Sequence, residues 1–333
     1  MVMLKVVRDY YEATGDERVT AMLKKYFRYQ LKTLPEKPLG YWTSWARYRA
    51  ADNMSVVLWL YDKTREEWLL DLAELLHRQG FDFTTYFEKE KVAIPRSIHC
   101  VNLAQGMKEP VVYWRLNGDE RYLKAVEKGL DDIRRFNGFP NGMYGGDEAL
   151  HGNNPLNGSE LCSAVELMYS LEEMARTTGH ARYGEMLEKV KSLSNVVEVV
   201  PNLDVYPAGA QDTEIFPFTG KTAVTFKLEL RMPSWCDSPD VKVNGVTYTT
   251  EKGAEMVALD RSWQNGDKVE IVLPMKIKTS RWYENSLAVE RGPLVYGLRI
   301  EEEWVKKNYE GDLKKKHGDW AWEVYPKTPW NYA

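Results

Sequence analysis

Four short polar turns recur along the first 193 residues at intervals of roughly fifty, the length of a helical hairpin repeat. They are Thr14-Gly15-Asp16-Glu17-Arg18, Asp62-Lys63-Thr64-Arg65-Glu66, Asn117-Gly118-Asp119-Glu120-Arg121 and Thr178-Gly179-His180-Ala181-Arg182. Each lies between two apolar helical patterns, such as Val19, Met22, Leu23, Tyr26, Phe27 and Trp68, Leu69, Leu72, Leu75, Leu76. Glycine in such a turn closes the first helix, and Asp, Thr or a neighbour caps the next. One hairpin cannot bury its apolar stripe alone, so successive hairpins must stack into a solenoid or close into an α/α toroid. In a closed toroid, the loops at one end of the inner helices frame a central pocket.

From about Val196 the period changes from helical to alternating. Val224 to Met232 reads as a half-buried strand, and Val241 to Tyr248 carries an Asn244-Gly245 hairpin turn. Val257 to Leu259, a Gln264-Asn265-Gly266-Asp267 turn and Val269 to Leu273 follow. Short strands at this spacing suggest a β-sandwich. The chain is therefore expected to divide into a helical domain over 1–195 and a sandwich domain over 196–333, the latter ending in an aromatic-rich tail (Trp320, Trp322, Tyr325, Trp330).

Two segments interrupt the helices. Gly40 to Arg49 leads into Asp52-Asn53 and the apolar run Val56 to Leu60. Ser97 to Asn102 leads into a helix expected to bend at Pro110. On that helix His99 and Asn102 share a face with Gln105. A polar stripe on a mostly buried helix needs partners: either a satisfied core network or a polar pocket.

The densest chemistry lies between Tyr144 and Cys162, in a stretch too rich in Gly and Asn to bury much apolar surface. Its end reads as a helix start, with Asn157 or Ser159 as cap, Glu160 in the first turn and an apolar run Leu161, Val165, Leu167, Met168, Leu171, Met174 beyond. Glu160 and Cys162 can converge at a frayed first turn, where carboxylate plus thiolate suits zinc. Alternatively, Glu160 complements the helix dipole and Cys162 is a small core residue. Glu148 sits beside Asp147 in a glycine-flanked loop, where burial and a like charge would raise its pKa towards that of a general acid. The other reading is a solvated loop carboxylate.

Charge and composition narrow the partners. A net charge of −4 gives no footprint for nucleic acid. No apolar run reaches membrane-spanning length, and the charged start lacks the apolar core of a signal peptide, so a cytoplasmic or periplasmic location is expected. Twelve Trp and 20 Tyr are many; sugar-binding clefts use aromatic faces, as do large cores. Three cysteines, Cys100, Cys162 and Cys236, cannot close a disulfide framework.

Tyr144 to Glu148 followed by Gly158 to Cys162, with Ser97 to Asn102 upstream, resembles the β-L-arabinofuranosidase family of glycoside hydrolases, family 127 and relatives. So do Glu229 to Cys236, the Val243-Asn244-Gly245 turn and the tail Trp322 to Tyr332. The resemblance implies an α+β multidomain chain, an (α/α)6 toroid followed by a β-sandwich. It implies a zinc cofactor held by one Glu and three Cys, one Cys being the nucleophile, and a separate Glu acting as acid/base. By motif, Glu160 and Cys162 match the Glu-x-Cys zinc ligands and Glu148 the acid/base, while His99 matches a pocket histidine that contacts the sugar. Asn102, Tyr144, Asp147 and His151 are the further substrate-binding candidates. The implied reaction is retaining hydrolysis that removes an L-arabinofuranose-like or related pectic sugar from plant glycans. The partner is thus a plant-derived oligosaccharide, and a homodimer stays open as the assembly.

The chain departs from the family in one respect that bears on chemistry. The other two zinc ligands are an adjacent cysteine pair, and no Cys-Cys occurs in this sequence. The family places the pair between the helix after Glu-x-Cys and the first sandwich strands, an interval crossed here in a few residues around 189–198. Four hairpin turns stand where six hairpins would close the toroid. Part of the barrel is therefore expected to be missing near 190–200. Two rival functions remain: a polysaccharide lyase of toroid-plus-sandwich type using His99 as base and Tyr144 as acid, and a non-catalytic glycan-binding relative.

Overall fold

The structure, a computed structural model, describes residues 2–89, 98–194, 211–217, 222–251 and 253–329. Helices fill its first part: α1 (Val2–Thr14), α2 (Arg18–Thr33), α3 (Trp45–Tyr48), α4 (Ala50–Thr64), α5 (Trp68–Gln79), α6 (Phe83–Lys89), α7 (Cys100–Gly106), α8 (Glu109–Asn117), α9 (Glu120–Asn137), α10 (Leu161–Thr178) and α11 (Ala181–Ser194). Each of the four polar turns joins two of them, giving the hairpins α1/α2, α4/α5, α8/α9 and α10/α11. Gly118 and Gly179 end α8 and α10 in the left-handed conformation, with φ of 69° and 71°. Arg65 does the same for α4 at φ 57°, where the turn has no glycine. Asp119 caps α9 by accepting from the Arg121 N–H at 2.9 Å.

Two apolar clusters hold the helices together. One joins Leu23, Phe27, Val57, Leu60, Leu69 and Leu72 from α2, α4 and α5; the other runs from Phe83 on α6 through Leu103, Val126, Leu130, Leu167 and Leu171. Helix α4 is buried on nearly every face, so its polar residues need partners inside. Asp52 finds Lys108 Nζ at 2.8 Å and Lys5 Nζ at 3.4 Å, and accepts from Gln105 Nε2 at 3.1 Å. Lys108 also donates to the Gln105 carbonyl and to Ser170 Oγ.

The bend expected at Pro110 is a break. Helix α7 ends at Gly106, and Pro110 sits in the first turn of α8, where its missing N–H costs nothing. Gly106 is required because a Cβ there would overlap the Phe83 ring. In α10 the buried face is Ala164, Leu167, Leu171 and Met174, whereas Leu161 and Val165, expected on the same stripe, are exposed.

The second part is β-structure. Strands β1 (Gln211–Pro217), β2 (Val224–Arg231), β3 (Asp240–Val243), β4 (Val246–Tyr248), β5 (Met256–Trp263), β6 (Lys268–Pro274), β7 (Ile277–Arg281), β8 (Leu287–Arg291) and β9 (Leu294–Tyr296) precede β10 (Glu302–Asn308), α12 (Gly311–His317) and β11 (Trp320–Pro326). A four-stranded sheet has the order β1-β6-β3-β4, beside the antiparallel pairs β2-β5 and β10-β11 and the sheet β7-β8-β9. Leu230, Val257, Leu259 and Trp263 of β2-β5 share one core with Val241, Val243, Val269 and Ile271 of β3 and β6. Asn244 and Gly245 turn from β3 to β4 with φ of 54° and 79°, as a two-residue Asn-Gly hairpin requires. Helix α11 meets this part through Glu188, which accepts from Arg231 at 2.9 Å. The expected domain boundary, and the interval from 195 where barrel was expected to be missing, lie outside the described residues, as do Ser97 and Trp330.

Candidate active site

The Tyr144–Cys162 stretch folds back on itself around Gly146. Its N–H donates to the Gly158 carbonyl at 3.0 Å, and its carbonyl accepts from the Glu160 N–H at 3.0 Å. Gly145 N–H donates to the Asn137 carbonyl, and Gly152 N–H to Asn137 Oδ1, which ties both sides of the loop to the end of α9. Three contacts then clip the loop to the start of α7. Tyr144 Oη donates to the Cys100 carbonyl at 2.9 Å, Cys100 N–H donates to the Glu148 carbonyl at 3.1 Å, and Gly146 lies against Cys100 Sγ. These side chains therefore gather around two helix starts, at His99 and at Glu160. Glu148 is two residues from Gly146, so its Cα lies within about 7 Å of that of the residue bonded to Glu160.

His99 is the cap of α7: its Nδ1 accepts from the Val101 N–H at 3.1 Å. Its Nε2 lies 3.0 Å from Glu148 Oε2. Glu148 is not buried as expected for a general acid; its side chain is 89% exposed and projects into open solvent. Asp147 Oδ1 accepts from the Glu148 N–H at 2.6 Å and has His151 Nε2 at 3.4 Å. The Glu148 N–H, then Asp147's own N–H and His151, hold the Asp147 carboxyl below its usual value against the opposing effect of burial. His151 Nδ1 is buried without a hydrogen-bond partner among the described residues.

Tyr144 and Asn102 stand behind this group rather than in it. Tyr144 is 1% exposed, burial pushes its phenol pKa up, and its hydroxyl is committed to Cys100. Asn102 is buried and accepts from Arg49 Nε at 3.0 Å. The polar stripe on α7 thus splits: Asn102 and Gln105 join a core network, and His99 faces Glu148. Arg49 in turn lies 4.7 Å over the Trp45 ring, whose centroid is 6.4 Å from that of His99. Trp45, with exposed Tyr41 and Trp42 nearby in sequence, puts aromatic surface beside His99. In the sequence this segment reads as an interruption; its four aromatics and two arginines between Gly40 and Arg49 are the available signal.

Glu160 precedes α10 as its N-terminal flanking residue, not within its first turn, and makes no side-chain cap. One carboxylate oxygen, Oε2, is buried with no hydrogen-bond partner among the described residues. The other neighbour is Cys162, whose exposed thiol is pushed up in pKa first by a hydrogen bond to Glu160. Cys100 lies beneath the loop; burial, then the Glu160, Asp147 and Glu148 carboxylates, push its thiol up to about 12. A carboxylate oxygen lacking a partner beside a thiol is the beginning of a metal site. Zinc needs at least three protein ligands. Among the described residues no group of three or more His, Cys, Asp or Glu converges to hold a metal. The sequence offers no adjacent cysteine pair, and Cys236 lies in the loop between β2 and β3. Among the described residues, Glu160 and Cys162 alone are too few donors for zinc.

A surface depression of about 420 Å³ between Glu88, Arg121, Lys124 and Lys128 contains none of these residues. Among the described residues no helix is long and apolar enough to cross a membrane.

Comparison with known proteins places the chain. Residues 2–197 match the model of the family described as Beta-L-arabinofuranosidase, GH127 catalytic domain, and residues 195–275 that of the GH127 middle domain. No curated protein matches the chain. Several solved structures share its fold. One described as a glycoside hydrolase aligns with TM-score 0.66 at 16% identity, over 86% of this chain and 66% of that one. A GH127 β-L-arabinofuranosidase from Geobacillus stearothermophilus T6 aligns with TM-score 0.63 at 16% identity, over 91% and 69%. A further GH127 β-arabinofuranosidase gives 0.60 at 17%, over 97% and 72%. The chain thus spans about two thirds of the length of the proteins it resembles.

Proposed function

Because this chain belongs to the GH127 β-L-arabinofuranosidase family, whose catalytic-domain model alone matches more than half of it, we propose that it is a glycoside hydrolase acting on an L-arabinofuranose-like or related pectic sugar of plant glycans, with Glu148 as acid/base. The observation that carries this reading is the placement of Glu148. It stands on a loop clamped to the start of α7, beside a fixed histidine, and is open to a ligand. Glu148 as a carboxylic acid protonates the departing glycosidic oxygen; as a carboxylate it then takes a proton from the attacking group. His151 and Asp147 lie on the same loop to meet sugar hydroxyls, and Trp45 offers a ring face to its C–H groups. The (α/α)6 toroid and sandwich are the architecture in which such a site faces the ring axis.

The family resemblance calls for a cysteine thiolate nucleophile. Since the sequence has no adjacent cysteine pair, only the proton-transfer half of the reaction is assigned to this chain's residues. The lyase alternative loses its acid, because the Tyr144 hydroxyl is buried and donates to a backbone carbonyl. The test is release of L-arabinose from a β-L-arabinofuranosyl oligosaccharide. Glu148→Gln should lower release by about 10²–10⁴-fold at unchanged melting temperature. Equal rates for the two proteins would remove Glu148 from this role. Glycan binding by the wild type with no sugar release would make the chain a binding relative, and products absorbing in the ultraviolet would make it a lyase.

A further inference from the structure

We propose that His99 is a positioning residue held as one tautomer, with its proton on Nε2, so that it donates to Glu148 and aims that carboxylate; the proposal rests on the acid/base reading of Glu148. Two facts fix the ring. Its Nδ1 faces the Val101 N–H at 3.1 Å, so Nδ1 must accept; a proton there would set two donors against each other. A neutral imidazole whose Nδ1 accepts carries its proton on Nε2. That nitrogen lies 3.0 Å from Glu148 Oε2. The backbone completes the clamp, since Cys100 N–H, the next donor along the chain, holds the Glu148 carbonyl at 3.1 Å. Glu148 is thereby gripped at both ends by consecutive residues of one helix start.

This grip matters because, among the described residues, the carboxylate has no other ion pair or hydrogen bond. Its side chain is 89% exposed, and an exposed glutamate samples many rotamers. An acid must sit within hydrogen-bond reach of the oxygen it protonates. A fixed N–H on one carboxylate oxygen leaves the other turned outward for the substrate. The role differs from sugar contact: with Nδ1 held by Val101 and Nε2 turned to Glu148, both ring nitrogens are occupied.

Two-bond proton–nitrogen correlation spectra of the full-length, nitrogen-15-labelled protein test this without relying on turnover. The sequence has five histidines, and His99 is identified by the set of signals lost in His99→Asn, which keeps a side-chain cap for α7. If His99→Asn does not fold, assignment by through-bond correlation to the wild-type backbone replaces it. The expected pattern is an unprotonated Nδ1 and a protonated Nε2, with Glu148→Gln shifting the His99 Nε2 signal and leaving those of His77, His180 and His317 in place. A proton on Nδ1, the even tautomer mixture of a free imidazole, or an Nε2 signal indifferent to Glu148→Gln overturns the proposal. The outcomes separate from the acid/base reading. Failed spectra with turnover lost in Glu148→Gln reject only the tautomer. The expected spectra with full turnover in Glu148→Gln reject only the acid/base role.

Discussion

Gly146→Ala should unseat the candidate site, and the reason can be worked from the structure. Gly146 does not occupy the left-handed region, so alanine suits its backbone; the obstacle is space alone. A Cβ there would overlap Cys100 Sγ and come to 3.1 Å from the Ala149 carbonyl oxygen. The thiol cannot retreat, because Cys100 is fully buried and its backbone holds both Glu148 and Tyr144. The loop must therefore lift off α7, straining the Gly146 bonds to Gly158 and Glu160. Overpacking of this kind costs about 1–3 kcal/mol. For a helical unit of this size that is a fall in melting temperature of roughly 2–12 °C. Cys100→Ala alone should cost only ~1 kcal/mol, since one sulfur atom is removed. The decisive measurement is the double variant. Removing the sulfur vacates the space the new methyl needs, so Gly146→Ala/Cys100→Ala should be more stable than the sum of the singles by about 1–3 kcal/mol. Denaturant unfolding of the four proteins gives the coupling energy. Additive losses, or a Gly146→Ala protein as stable as wild type, would refute the claim that loop and helix meet through this contact.

Other consequences follow from the same structure. Lys108 and Asp52 are both fully inaccessible, so Lys108→Met leaves a buried carboxylate with only the longer Lys5 pair and the Gln105 amide; it should cost about 3 kcal/mol, less in Asp52→Leu/Lys108→Met, and a loss under about 1 kcal/mol would deny the pair its role. Although burial alone would raise the pKa of Asp52, Lys108 and Lys5 hold it below the ordinary 3.8. A depressed carboxyl contributes stability above its unfolded value and loses it as pH falls through the folded one. Unfolding midpoints below about pH 4 should therefore drop less steeply in Asp52→Asn; identical slopes would contradict this. With only Glu160 and Cys162 as converging donors among the described residues, elemental analysis should find well under one zinc per chain. Stoichiometric zinc that disappears in Cys162→Ser would show that further donors complete the site.

What could be read in advance divides by distance along the chain. The four turns were legible because their physics is local: a left-handed residue and a capping carboxylate act within four or five positions. Even there Arg65 took the left-handed position without a glycine to announce it. Pro110 marks a discontinuity, but whether a proline bends one helix or opens another depends on where the preceding helix ends, here at Gly106. Leu161 and Val165 have helical spacing, yet periodicity says only which residues share a face, not whether a neighbour covers it. The site shows the same division more sharply. Glu160 and Cys162 are two residues apart, and their contact was foreseeable. His99 and Glu148 are far apart in sequence, and nothing in either segment says that the ring caps a helix with one nitrogen and faces the carboxylate with the other. Burial of Glu148 was inferred from its glycines, but those glycines serve a different need. Gly145 and Gly146 let the loop backbone approach Gly152 and Cys100 closely, and that approach pushes the following Asp147 and Glu148 outward. The small residues that appeared to promise a buried acid are the reason it is exposed, so its control must come from the fixed donors around it rather than from a low dielectric.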